Sequence, residues 1–106
     1  MNTRKYAKKQ EQTLARVLNA KRQANSGATP FNKGDVKGKR FLIEAKTTIK
    51  VKKSFSIKKE WLIKNKEEAF AMGREFGVLA FNFSPGEENY YVLDEKTFIE
   101  LTGGKI

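Results

Sequence analysis

The chain of 106 residues has no cysteine and no histidine, and its 22 Lys and Arg against 12 Asp and Glu give a formal charge of +10. Without these two residue types there are no disulfides, no thiolate zinc sites, no Ser-His-Asp triad and no imidazole base, so any chemistry must use carboxylates, lysine and water. The length fits a single domain with one core, and the charge favours a polyanionic partner, nucleic acid first and an anionic membrane surface second.

Asn2, Thr3, Arg4 and Lys5 open the chain where a secretion signal would need an apolar run, so an intracellular, cytoplasmic setting is expected. Residues 4–24 predict a helix, with Tyr6, Leu14, Val17 and Leu18 on one stripe and Lys5, Lys8 and Lys9 off it. Lys21 and Arg22 would sit in its last turn, where positive charge suits the helix dipole. Glu11, about one turn before Leu14 and Ala15, falls near the edge of the apolar stripe, and an exposed pairing with Lys8 is the competing role. Asn25, Ser26 and Gly27 stop the helix, and residues 28–34, with Pro30, form a loop.

A hairpin follows, with a short strand at 35–37 and a longer one at 40–48, joined through Gly38 and Lys39. Alternation places Leu42, Glu44 and Lys46 on one face of the second strand and Phe41, Ile43 and Ala45 on the other. A turn at Gly38-Lys39 sets Asp35 opposite Leu42 and diagonal to Glu44. Residues 49–55 are basic with a few apolar positions and fit either a third strand or a loop. Ser56 is the expected N-cap of a second helix over 57–76, with Trp61, Leu62, Ala69, Phe70 and Met72 as its apolar contacts. Strands are expected at 78–83 and 90–93 around a Pro85-Gly86 turn, then a short helix at 95–101. The apolar run at 78–81 is far too short to span a membrane.

Charge is distributed unevenly along this order. Residues 1–66 hold 19 Lys and Arg against 4 Asp and Glu, a net of +15, whereas residues 67–106 hold 3 against 8, a net of −5. The four acids of the basic segment are Glu11, Asp35, Glu44 and Glu60. Glu60 falls in the first turn of the second helix, where it complements the dipole. The other three, with Lys46 two residues beyond Glu44, lack so simple an explanation. Coordination of a divalent cation beside a nucleic-acid phosphate supplies one. Short Asp to Glu-x-Lys spacings arise by chance in lysine-rich chains. Here the pattern gains weight from its place on a hairpin, the helix glutamate, the Ser-Gly-Ala loop and the scarcity of other acids.

Glu11 on the first helix, Ser26-Gly27-Ala28 in the loop, Gly34-Asp35 and Glu44-Ala45-Lys46-Thr47-Thr48 together resemble the PD-(D/E)XK nuclease superfamily. Within it they are most similar to the small Holliday junction resolvases of archaeal type and their phage-encoded relatives. The stretch from Ser54 through Phe55, Ser56, Ile57, Lys58, Lys59 and Glu60 to Trp61 fits the phage branch. Gly34 stands where that motif often has proline, and the loop before the hairpin is short, without the extra strand of archaeal resolvases. The resemblance runs from Glu11 to about residue 93 and implies a single α/β domain, a mixed central β-sheet flanked by helices in a restriction-endonuclease-like core.

The same resemblance implies the roles. Asp35 and Glu44 would hold Mg²⁺ or Mn²⁺ through carboxylate oxygens, with the Ala45 carbonyl as a further ligand, in keeping with the preference of hard cations for oxygen. Lys46 would orient or deprotonate the attacking water, and Glu11 would bind a second metal or position its water shell. Ser26 and the basic run Lys50, Lys52, Lys53, Lys58 and Lys59 would contact the DNA backbone, against the alternatives of a helix stop and a solvated face. Trp61, Phe70, Phe81 and Phe83 read as core. The implied activity is hydrolysis of DNA phosphodiesters, most directly in a four-way junction and by a homodimer, so that two sites cut two strands. The alternatives are a nuclease of the same fold acting on flaps, single strands or nicked duplex, and a non-catalytic nucleic-acid-binding module whose carboxylates merely balance its lysines.

Overall fold

The computed structural model describes residues 3–22 and 35–106, and the side chains of all of these except residues 3, 4 and 35. The first helix, α1 (Thr3–Val17), is shorter than its sequence pattern predicts. Asn19 adopts a left-handed conformation with φ 51°, and the Ala20 N–H reaches back to the Ala15 carbonyl at 2.9 Å. Asparagine tolerates that conformation better than most residues, and the long backward bond closes the helix in the manner of a Schellman cap. Lys21 and Arg22 therefore leave the helix and form a two-residue edge strand, β1 (Lys21–Arg22).

β1 pairs antiparallel with β2 (Asp35–Lys37), which pairs antiparallel with β3 (Phe41–Lys46). The turn lies at Lys39-Arg40, one residue later than expected, with the Gly38 N–H donating to the Phe41 carbonyl at 2.9 Å. Distant contacts hold it there: Arg74 Nε donates to the Gly38 carbonyl at 2.7 Å, and the Phe76 N–H to the Arg40 carbonyl at 3.0 Å. Moving the turn by one residue moves every partner by two, so the faces stay as expected while position 35 comes directly opposite Glu44.

After β3 the chain has no regular structure until α2 (Lys59–Ala71), so the ambiguous basic stretch is a loop. The helix begins at an extended Lys58 with no side-chain cap, not at Ser56. The loop is instead tied across to the segment just beyond the next strand, the Lys52 N–H donating to the Phe83 carbonyl at 2.8 Å. α2 also stops earlier than expected, because Gly73 takes a left-handed φ of 71° and Arg74 N–H returns to the Ala69 carbonyl at 2.8 Å. That frees Phe76 to open β4 (Phe76–Phe81), which runs parallel to β3, with Glu44 beside Leu79 and Lys46 beside Phe81. β5 (Tyr90–Val92) pairs antiparallel with β4, and α3 (Glu95–Thr102) closes the chain, its first turn capped by the Asp94 carboxylate on the Thr97 N–H at 2.8 Å.

The described residues form one compact α/β domain with a mixed five-stranded sheet in the order β1-β2-β3-β4-β5. Leu14 of α1 packs on one sheet face against Val36, Ile43, Ala45, Val78 and Ala80. α2 covers the opposite face, which carries Leu42, Glu44 and Lys46. Its Asn65 is buried and donates to the Leu42 carbonyl at 3.3 Å, directly over Gly77. Phe70, expected to pack, points away from this contact and is 86% exposed. No helix among the described residues is long and apolar enough to cross a membrane.

Candidate active site

The period of two along β3 brings Glu44 and Lys46 to the same face, near the carboxyl ends of the two parallel strands. Glu44 is only 2% exposed. Ionising a carboxylate so deeply buried is costly unless positive charge lies near, and Lys46 supplies it, with Nζ 3.8 Å from Glu44 Oε2. The hairpin register sets position 35 directly across from Glu44. Ala45 turns its side chain into the opposite core, so its backbone alone is a candidate ligand. A carboxylate and a peptide carbonyl beside an ammonium suit a hard divalent cation and a phosphate better than a soft metal. Among the described side chains, which exclude that of Asp35, no group of three or more acidic, His or Cys residues forms a metal cluster.

Glu11 is also buried, at 2% exposure, but on α1, the helix that packs on the other face of the sheet. Its Oε1 accepts a bond from Arg22 Nε at 3.2 Å, so Arg22 takes the place of Lys8 in the pairing that competes with a metal role. The reason is the early end of α1: β1 folds back and carries Arg22 alongside Glu11, whereas Lys8 is exposed.

Gln10 of α1 reaches the candidate site. Its Nε2 donates to the Lys46 carbonyl at 2.7 Å and to Asn89 Oδ1 at 2.9 Å, so one amide fixes the end of β3 to the segment before β5. Sequence reasoning passed over Gln10, although its place one turn before Leu14 puts it on the buried stripe. A second lock joins the ends of the parallel strands, Thr47 Oγ1 donating to buried Asn82 Oδ1 at 2.7 Å.

The basic run approaches the site through Trp61, which lies near Lys46 and lines a cavity with three of its lysines. Lys50, Lys52, Lys53, Lys58 and Lys59 are all exposed. Lys52, Lys53 and Lys58 line a cavity of about 440 Å³ together with Ser54, Ser56, Phe55 and Trp61. Trp61 and Phe81 are not simply core. Trp61 has the Lys46 ammonium 4.3 Å and the Lys58 ammonium 5.7 Å from its ring centre. Phe81 belongs to a half-buried aromatic group, 5.0 Å from Phe55 and 5.3 Å from Phe83, which anchors the basic loop. A larger apolar hollow of about 640 Å³, bordered by Leu18, Phe41, Ile43, Tyr91 and Leu101, has no carboxylate in its lining. Ser26 lies outside the described residues.

Comparison of the chain with protein-family models, with curated proteins and with solved structures gave no match.

Proposed function

We propose that the protein is a metal-dependent endonuclease that hydrolyses DNA phosphodiester bonds, acting on branched DNA as a Holliday junction resolvase of the PD-(D/E)XK type. The observation that carries this reading is the buried Glu44 beside Lys46, with position 35 across the hairpin from it, and with Trp61 next to Lys46 also lining a lysine-lined cavity. The order of helix, hairpin, helix and parallel strand, with the carboxylates on the hairpin, agrees with it.

Asp35 and Glu44, with the Ala45 carbonyl, would hold Mg²⁺ or Mn²⁺. When bound, such an ion polarises a phosphate oxygen and makes water a better nucleophile. Lys46 then offsets charge on the phosphorus centre and orients the attacking water, whose oxygen forms the new bond to phosphorus as one ester P–O bond breaks. Glu11, buried and held by Arg22, would act at most on the water shell of a second ion. Lys52, Lys53 and Lys58 would track the backbone phosphates, each contact releasing counterions. Such a protein would work inside the cell, as would be expected of a phage-encoded enzyme acting in recombination or DNA packaging.

A homodimer would supply the second site needed to cut two strands. The apolar hollow beside Tyr91 and Leu101, which are 43% and 51% exposed, offers a surface for it. Cleavage of a labelled four-way junction, a flap, a nicked duplex and a linear duplex tests the substrate class. Symmetric paired nicks in the junction support resolution, and preferential cutting of flaps or single strands assigns the same chemistry to another substrate.

A second reading follows from the closeness of Glu44 and Lys46, which neutralise each other at 3.8 Å. The domain would then bind nucleic acid without cutting it. That reading requires salt-sensitive binding and no metal-dependent cleavage of any of the four substrates.

A further inference from the structure

Lysine has a flexible four-carbon stem, and a lysine that acts on a phosphate must be held in place. At 3.8 Å the Lys46 to Glu44 approach is an ion pair longer than a hydrogen bond, so it supplies attraction without fixing direction. A second constraint comes from α2. Trp61, in its first turn, presents its indole ring 4.3 Å from the Lys46 ammonium, inside the range in which a cation is attracted to an aromatic face. The Lys46 side chain is 23% exposed, so water only partly weakens that attraction.

From this we infer that Trp61 is a positioning residue for Lys46, holding the ammonium beside Glu44 by a cation–π contact. The inference rests on the nuclease reading of that site and adds a residue from a different element to it. Trp61 also lines the basic cavity and lies 5.7 Å from the Lys58 ammonium, so the indole is the wall shared by the candidate chemistry and the candidate phosphate path. It is the single tryptophan of the chain, which makes its surroundings separately observable.

The test uses the full chain as wild type, Trp61→Phe and Trp61→Leu, with kcat and KM measured on a labelled junction in Mg²⁺. The lysine ε-methylene resonances are recorded by NMR on the same proteins, with Lys46→Met to assign the signal. A positioning role predicts that Trp61→Leu lowers kcat about 10-fold while KM stays within about 2-fold, and that Trp61→Phe recovers most of the loss. It also predicts an upfield ring-current shift of the Lys46 ε-methylene in the wild type that is absent in Trp61→Leu. A Trp61→Leu protein that cuts as fast as wild type, or that changes KM alone, overturns the inference and leaves the nuclease reading intact. An unshifted Lys46 resonance in the wild type overturns it even where Trp61→Leu fails to fold. A wild type that cuts no substrate removes the nuclease reading and the positioning role with it.

Discussion

Gly77 decides how closely α2 can approach the sheet, and replacing it with alanine has a cost that follows from the distances. A Cβ at position 77 would lie 2.3 Å from Asn65 Oδ1, 2.9 Å from its Cγ and 3.0 Å from the Asn65 backbone oxygen. The amide cannot swing away freely, because it is buried and its Nδ2 bonds the Leu42 carbonyl. The helix backbone must also retreat, since the third contact belongs to it. Overpacking of this kind costs about 1–3 kcal/mol, loss of the buried amide bond adds about 1 kcal/mol, and the smaller entropy of an alanine-containing unfolded chain returns about 0.5 kcal/mol. The expected net loss is about 1.5–3.5 kcal/mol, or about 7–16 °C in melting temperature for a domain of this size. Urea and thermal denaturation followed by circular dichroism measure it. Because the Asn65 side chain contributes the two shortest contacts, Asn65→Ala combined with Gly77→Ala should cost less than the sum of the two single changes. A Gly77→Ala protein within about 0.5 kcal/mol of wild type, or strict additivity with Asn65→Ala, would refute the reasoning.

The Asp94 carboxylate, bonded first by Lys66 and then by the Thr97 side chain and N–H, is held at about 2 against an ordinary 3.8. A carboxylate depressed in the folded state stabilises above its unfolded value and loses that contribution as pH falls from about 4 towards 2. Asp94→Asn keeps a capping oxygen but not the charge, so, with water screening of this partly exposed pair, it should cost about 1 kcal/mol at pH 7. The deficit should shrink through that acidic window in urea denaturation, and a pH-independent deficit would contradict the assignment. Removing Lys52 and Lys53 together by alanine substitution should weaken DNA binding and reduce the slope of log Kd against log salt by about 2. Fluorescence anisotropy of a labelled junction over a salt series reads that slope, and an unchanged slope would mean that the cavity faces no phosphate.

Much of this arrangement is legible in the sequence where a periodic pattern governs it. Alternation in residues 41–46 places Glu44 and Lys46 on one face whatever the turn, because moving a hairpin turn by one residue preserves the parity of its faces. The turn itself is not legible, since it depends on Arg74 reaching the Gly38 carbonyl from 36 residues away. β1 has only two residues and no pattern to detect, and it exists because Asn19 ends α1 early. Glu11 consequently finds a partner, Arg22, that a continuous helix would have carried away from it.

The second helix misleads for a different reason. Its sheet-facing side holds Asn65 and Ala69, while Phe70 is exposed, so the face is set by contact with Gly77 and Leu42 and not by the largest apolar residues. Ser56 looks like a cap in sequence, but the loop is already committed to Phe83. Trp61 sits where a core residue would, and only the parallel pairing of β3 with β4 beneath α2 reveals that its ring meets a lysine.

Cleavage of a labelled four-way junction by wild type and by Lys46→Ala, each with Mg²⁺ and with EDTA, tests the central claim most directly. A nuclease of this kind cuts as wild type in Mg²⁺ alone, loses about 100-fold or more of that rate in Lys46→Ala, and binds the junction in both forms. Equal cutting by the two proteins, or binding by both with no cutting in Mg²⁺ or Mn²⁺, would contradict that claim.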